Sequence, residues 1–189
     1  MYRSILLILF ILSMASTVRA EPGPRVAVIY YSRSGATDVM AREIVKHFGA
    51  TEIRIKAPYY DGTGGFVRAN REAWTEVENV EIQHEPVDLS EYDLVFLGSP
   101  IWWFRPAVPL IAFAKRNPFH GARVVLFNTF NSRFKSENIE KFRKIIEAGN
   151  GKWARHIYVR RGRSYDQLTS EQIREATREL LGATDWMGR

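Results

Sequence analysis

The chain of 189 residues contains no cysteine. That absence excludes disulfides, thiolate metal sites and a thiolate nucleophile. Histidine is scarce: His47, His84, His120 and His156 stand singly in a helix, a connector, a loop and a strand. Each reads as a surface or capping residue, and no set of metal ligands or acid–base pair emerges. Long apolar runs are also missing. The longest, Ile5 to Met14, falls short of the ~20 residues a membrane span needs. The formal charge is modest, +6, and the one basic cluster, Arg160, Arg161 and Arg163, has no interleaved aromatics. A nucleic-acid role is not expected. Gly62-Thr63-Gly64-Gly65 lacks the G-x-G-x-x-G spacing of a dinucleotide loop. There is no repeat and no low-complexity tract.

The chain begins with one positive charge, an apolar core, and small residues Val18 and Ala20 before Glu21. This is the pattern of a secretory signal peptide over residues 1–20, cut after Ala20. No twin arginine is present, so the Sec route is expected. No cysteine follows the cut, so a lipoprotein is excluded. Losing Arg3 and Arg19 takes the formal charge from +6 to +4. The mature protein is expected in the periplasm or secreted, without a stable membrane span, led by a short segment 21–24.

The stretch Arg25 to Thr37 organises the rest. Val26 to Tyr31 is continuously apolar, as a strand buried on both faces reads. Ser32-Arg33-Ser34-Gly35-Ala36-Thr37 follows, then an amphipathic helix with Val39, Met40, Ile44, Val45 and Phe48 on its apolar side. A strand, a polar glycine turn and a helix N-terminus together form an anion site. Ser32, Ser34 and Thr37 add three hydroxyl donors.

Further strands are expected at Thr51–Ile55, Leu94–Gly98, Arg123–Phe127 and Trp153–Val159. Helices are expected at 66–76, 106–115, 136–148 (Ser136 as N-cap, Gly149 as stop) and from 168 to 181. Lys56 to Gly65 reads as a loop, and Val80 to Pro86 as a connector with a short extended piece. Alternation of strands and helices, with three continuously apolar strands, implies an α/β fold. The expected fold is one domain, residues 25–182, with a doubly wound five-stranded parallel sheet and a tail at 183–189. In strand order 2-1-3-4-5, the segments after strands one, three and four converge at Ser32, Ser99 and Asn128.

The segment Leu94–Phe104, LVFLGSPIWWF, resembles the G-x-P-I-W-W segment of the flavodoxin-like family of small FMN proteins. Ser32-Arg33-Ser34-Gly35-Ala36-Thr37 is similar to that family's phosphate loop, and Thr129 matches its threonine after strand four. The resemblance implies FMN, with its phosphate on residues 32–37. The flavin ring would lie against Ser99, Pro100, Ile101, Trp102, Trp103, Phe104, Asn128, Thr129 and Phe130. An isoalloxazine wants an aromatic wall, and one of Trp102, Trp103 and Phe104 is expected to pack as core instead. The family's glycines after strand four are missing, and Phe130 reads either as a second wall or as a residue folded onto the protein. The segment Ser99 to Trp103 has no glycine, and Pro100 fixes its own φ. A positive φ at Ile101 would be costly, so two-electron chemistry is expected over one-electron shuttling.

Other functions of this fold lack their residues. A phosphoacceptor needs acids at the end of strand one, a low-molecular-weight phosphatase needs a cysteine, and Gly98-Ser99-Pro100 is no nucleophile elbow. Two classes stay open. One is an exported FMN-dependent oxidoreductase or electron-transfer flavoprotein, passing electrons from a nicotinamide or protein donor to a quinone-like or protein acceptor. The other is a binding or interaction domain of the same fold without redox activity.

Overall fold

A computed structural model describes residues 23–183 and Trp186. The signal-peptide reading, part of the 21–24 lead and most of the 183–189 tail lie outside the described residues. The elements run β1 (Val26–Tyr31), α1 (Ala36–Phe48), β2 (Thr51–Ile55), α2 (Gly62–Trp74), β3 (Leu94–Trp102) and β4 (Arg105–Pro106). They continue α3 (Val108–Arg116), β5 (Arg123–Phe130), α4 (Ser136–Ala148), β6 (Lys152–Arg160) and α5 (Ser170–Gly182). The five long strands are all parallel, in spatial order β2-β1-β3-β5-β6, with β4 paired only to β3.

The central strands are apolar throughout because helices cover both faces. Ala27, Ile29, Tyr31, Val95, Leu97, Val124 and Leu126 face one side, against α2, α3 and α4. Val28, Tyr30, Leu94, Phe96, Val125 and Phe127 face the other, against α1 and α5. Gly98 sits in register with Phe127. A Cβ on Gly98 would come within 1.9 Å of the Phe127 ring, so only glycine admits that ring. The last helix starts on a capping box between Thr169 and Gln172. Lys56 pairs with Gln83 in an isolated antiparallel bridge, the short extended piece of the connector.

Several boundaries differ from the sequence expectation, among them the start of α3, at Val108 rather than Pro106, which lies in β4. Strand β3 runs on to Trp102 and turns back into β4, so Ser99–Trp102 is strand rather than loop. Strand β5 includes Asn128, Thr129 and Phe130. Helix α2 starts at Gly62, inside the expected loop, and Gly65 packs on the Tyr60 backbone, where a Cβ would lie 2.1 Å from the carbonyl carbon. Helix α4 has Lys135, not Ser136, at its N-cap, with no side-chain cap bond.

Candidate functional site

The carboxyl ends of β1, β3 and β5 lie side by side, and the site is built there. After β1, the chain turns through Gly35, whose φ of +92° only glycine adopts without strain. Ser32 Oγ accepts from the Asp38 N–H at 3.2 Å. The N-cap residue, Gly35, has no side chain to offer, and Ser32 takes only the Asp38 amide, so the Ala36 and Thr37 amides are left for an outside acceptor. The Thr37 hydroxyl is not free for that acceptor. It is buried and shares a 2.7 Å hydrogen bond with the Thr129 hydroxyl, which ties the turn to β5.

Beneath the site lies a buried polar scaffold. The Asn128 Nδ2 donates to the Ser99 carbonyl at 2.8 Å, and its Oδ1 lies 2.9 Å from His156 Nε2. With the amide so oriented, the histidine carries its proton on Nε2. Burial pushes the His156 pKa down to about 4, so the ring is neutral near pH 7. The sequence reading of His156 as a surface or capping residue is corrected: the strand alignment carries it under Asn128. The Ser99 hydroxyl accepts from the Ala107 N–H at 3.1 Å, fixing the start of α3.

Above this scaffold β3 and β4 form a hairpin with a two-residue turn, Trp103-Phe104. Ile101 pairs with Pro106, and Trp102 with Arg105. Both turn residues have positive φ, +47° and +69°. That pair of angles belongs to the tight hairpin turn normally made by Asn-Gly. Two bulky aromatics held there store strain of order 1–3 kcal/mol each. The hairpin pairing on either side holds their rings at the mouth of a cavity of about 350 Å³.

Of the residues read from sequence, Arg33, Ser34, Ala36, Pro100, Ile101, Trp102, Trp103, Phe104, Thr129 and Phe130 line that cavity. Ser32, Gly35, Thr37, Ser99 and Asn128 do not, and act as its supports. Trp102 is the ring that packs inward, edge-on to Tyr31 at 5.4 Å and to Tyr60 at 5.1 Å. Phe130 is buried against Phe134 and Tyr158, yet still forms part of the wall. Six lining residues escaped the sequence reading: Phe66, Asn70, Asn131, Ser132, Arg133 and Arg161. Phe66 and Asn70 share one face of α2 at i, i+4 spacing, a signal hidden by the glycines that open the helix.

The arginines here have unusual partners. Arg33 donates to the carbonyls of Tyr60 and Gly62, and Arg161 to the Asn131 side chain. Arg133 lies over the Phe104 ring, and Arg68 over the Tyr59 ring. Elsewhere, Arg42, Arg143 and Arg174 pair with carboxylates. Exposed rings crowd the same rim: Phe66 and Trp103 line it, and Trp74 packs on Trp103.

The arrangement offers backbone donors for an anion, flat aromatic walls beside them, and a positive rim. Among the described residues no His/Asp/Glu cluster could hold a metal ion, and no helix is long and apolar enough to cross a membrane.

A family model described as flavodoxin matches residues 25–163. No curated protein matches the chain. Among solved structures, it is similar to a flavoprotein in complex with FMN from Lactobacillus acidophilus NCFM, at 21% identity and TM-score 0.62, covering 71% of this chain and 93% of that one. It is also similar to the Trp repressor binding protein of Bacillus subtilis, at 18% identity and TM-score 0.54, covering 82% and 99%. An NADPH-quinone reductase from P. pentosaceus aligns at 11% identity and TM-score 0.51, covering 82% and 96%. At these identities the likeness is one of fold.

Proposed function

Because the chain belongs to the flavodoxin family, we propose that it binds FMN and works as an exported oxidoreductase. The observation that carries this is the glycine-started first turn of α1, its first amides uncapped, opening beside an aromatic-walled cavity. The residues fit the cofactor. The Ala36 and Thr37 amides and the helix dipole would hold the phosphate, and the exposed Ser34 hydroxyl adds a donor. Trp103, Phe104 and Phe130 would flank the ring, and Trp102 would back it. Bound FMN supplies the redox chemistry, accepting reducing equivalents from one partner and passing them to another.

This chain's own residues would orient the ring, exclude water and hold the adjacent backbone fixed. The carbonyl of Pro100 accepts from the Ala107 N–H at 3.1 Å. Ile101 is locked in the hairpin by its pairing with Pro106. A backbone held this firmly does not turn a carbonyl toward the ring as electrons arrive, which favours transfer of electrons in pairs. Trp74, Phe66 and Trp103 at the rim suit a flat, apolar acceptor such as a quinone, and the basic mouth suits a nicotinamide dinucleotide donor. The FMN complex and the NADPH-quinone reductase among the structural neighbours support that reading.

The test is fluorescence titration of the mature protein with FMN, followed by anaerobic reduction with NADH or NADPH and reoxidation by quinones. Tight uptake and donor-dependent bleaching are expected. No uptake of FMN would leave a binding domain without redox activity. Cell fractionation checks export: a shortened form outside the cytoplasm is expected, and full-length protein confined to the cytoplasm refutes it.

A further inference from the structure

Helix α2 buries a carboxylate that cofactor binding does not use. Glu72 is only 9% exposed. Its Oε2 accepts from the Tyr60 hydroxyl at 2.6 Å, and its Oε1 from the Tyr59 hydroxyl at 3.1 Å. Tyr60 is fully buried, and Tyr59 is 48% exposed. Their ring centroids are 5.3 Å apart. Tyr60 in turn meets Trp102 at 5.1 Å, and Trp102 lines the cavity. Three rings in contact thus run from the site to the surface, and the two phenols share one base.

An oxidised phenol is a strong acid, so a buried tyrosine gives up an electron readily only where its proton has somewhere to go. Burial and the hydrogen bond to Glu72 raise the Tyr60 pKa far above its ordinary value. Tyr60 therefore does not ionise first. Its electron and proton must leave together, and Glu72 is the acceptor in place.

We propose that Trp102, Tyr60, Tyr59 and Glu72 form a proton-coupled path that carries an oxidising equivalent from the cofactor pocket to the surface. The proposal rests on the FMN reading, since the oxidant is the oxidised isoalloxazine excited by light. With FMN bound, light absorbed there would supply the oxidant, and Trp102, which lines the pocket, would give up one electron and be left as an indole radical cation. Tyr60 refills it with one electron and passes its hydroxyl proton to Glu72 Oε2. Tyr59 then gives an electron to Tyr60 and a proton to Glu72 Oε1, while the Oε2 proton returns to Tyr60. The balance is one electron delivered to the cofactor, a neutral Tyr59 radical at the surface and a protonated Glu72. A soluble thiolate restores Tyr59 with one electron and leaves as a thiyl radical, Glu72 returns the proton, and the electron delivered to the cofactor would pass on to its redox acceptor. The path carries the oxidising equivalent from the pocket wall to the surface.

The test is flash excitation of the FMN-loaded mature protein, watching the indole and tyrosyl absorption bands. Titration with FMN on the same samples comes first. Wild type should show the indole band decaying into a tyrosyl band, more slowly in D2O. Glu72→Gln keeps an acceptor for the phenols but removes the base, and should slow tyrosyl formation about a hundredfold. Tyr60→Phe should leave the indole radical stranded with no tyrosyl band, because Tyr31, the other phenol against Trp102, has no hydrogen-bond partner to take its proton. Urea unfolding confirms that both variants are folded. FMN uptake without a tyrosyl band, or equal tyrosyl kinetics in Glu72→Gln, overturns the path alone. Failure to take up FMN removes the oxidant and overturns both readings.

Discussion

Replacing the hairpin turn by its preferred residues, Trp103→Asn with Phe104→Gly, should make the protein more stable and a worse FMN binder. Both native residues sit at positive φ, +47° and +69°. Asparagine and glycine tolerate those angles, so about 2–3 kcal/mol of strain is relieved across the turn. Against this stand the lost contacts: Trp103 with Trp74, and Phe104 under Arg133 and Lys135. These are rim contacts, together worth about 1–1.5 kcal/mol. A net gain of about 1 kcal/mol follows, which raises the melting temperature of a domain this size by about 2–4 °C. The same change strips two rings from the cavity wall, and FMN affinity should fall at least about tenfold, the equivalent of 1.4 kcal/mol. Urea unfolding without cofactor reads the first effect, and fluorescence titration reads the second. A variant less stable than wild type refutes the strain argument. Unchanged FMN affinity refutes the placement of the ring.

Three further outcomes follow from individual residues. The folded His156 pKa of about 4 lies below its ordinary value of 6.5, so between these the unfolded chain holds a proton that the folded chain refuses. Stability should therefore fall by about 2 kcal/mol from pH 8 to pH 5 on this account, and a His156→Gln variant with the same pH slope would defeat it. Gly35→Val imposes a β-branched side chain at φ +92°, so the turn must distort and FMN binding should be lost; a titration indistinguishable from wild type places the phosphate elsewhere. A Cβ at Gly98 would meet the Phe127 ring at 1.9 Å, so Gly98→Ala should cost about 1–3 kcal/mol in urea unfolding, and an unchanged midpoint would contradict the packing.

The sheet was legible because β1, β3 and β5 carry unbroken apolar runs, and burial on both faces is the simplest way to use them. The turn at Ser32–Thr37 was legible because small, hydroxylic residues and glycine between a strand and a helix suit few other purposes. The β3–β4 hairpin was not. Trp-Phe is the opposite of the turn chemistry by which such hairpins are recognised, and the reading stopped the strand at Gly98. The rim escaped for a different reason. Phe66, Asn70 and Arg161 reach the cavity from α2 and from just beyond β6, and only the packing of those segments brings them together. Local pattern likewise could not pair His156 with Asn128, 28 positions earlier, because that contact depends on the alignment of two strands.

The arginines held by carbonyls, an amide side chain and aromatic faces have a consequence beyond the pocket. A guanidinium paired to a carboxylate makes a dipole whose influence fades quickly; one oriented by a neutral group keeps its whole charge. Arg33, Arg133 and Arg161 therefore project a positive potential outward from the mouth of the cavity. Such a potential extends roughly 8–10 Å at physiological ionic strength, and it accelerates the diffusional approach of anions over neutral molecules. Selection among redox partners thus begins before contact. Its strength is set by dissolved salt, so the same protein meets its partners faster in dilute surroundings than in brine.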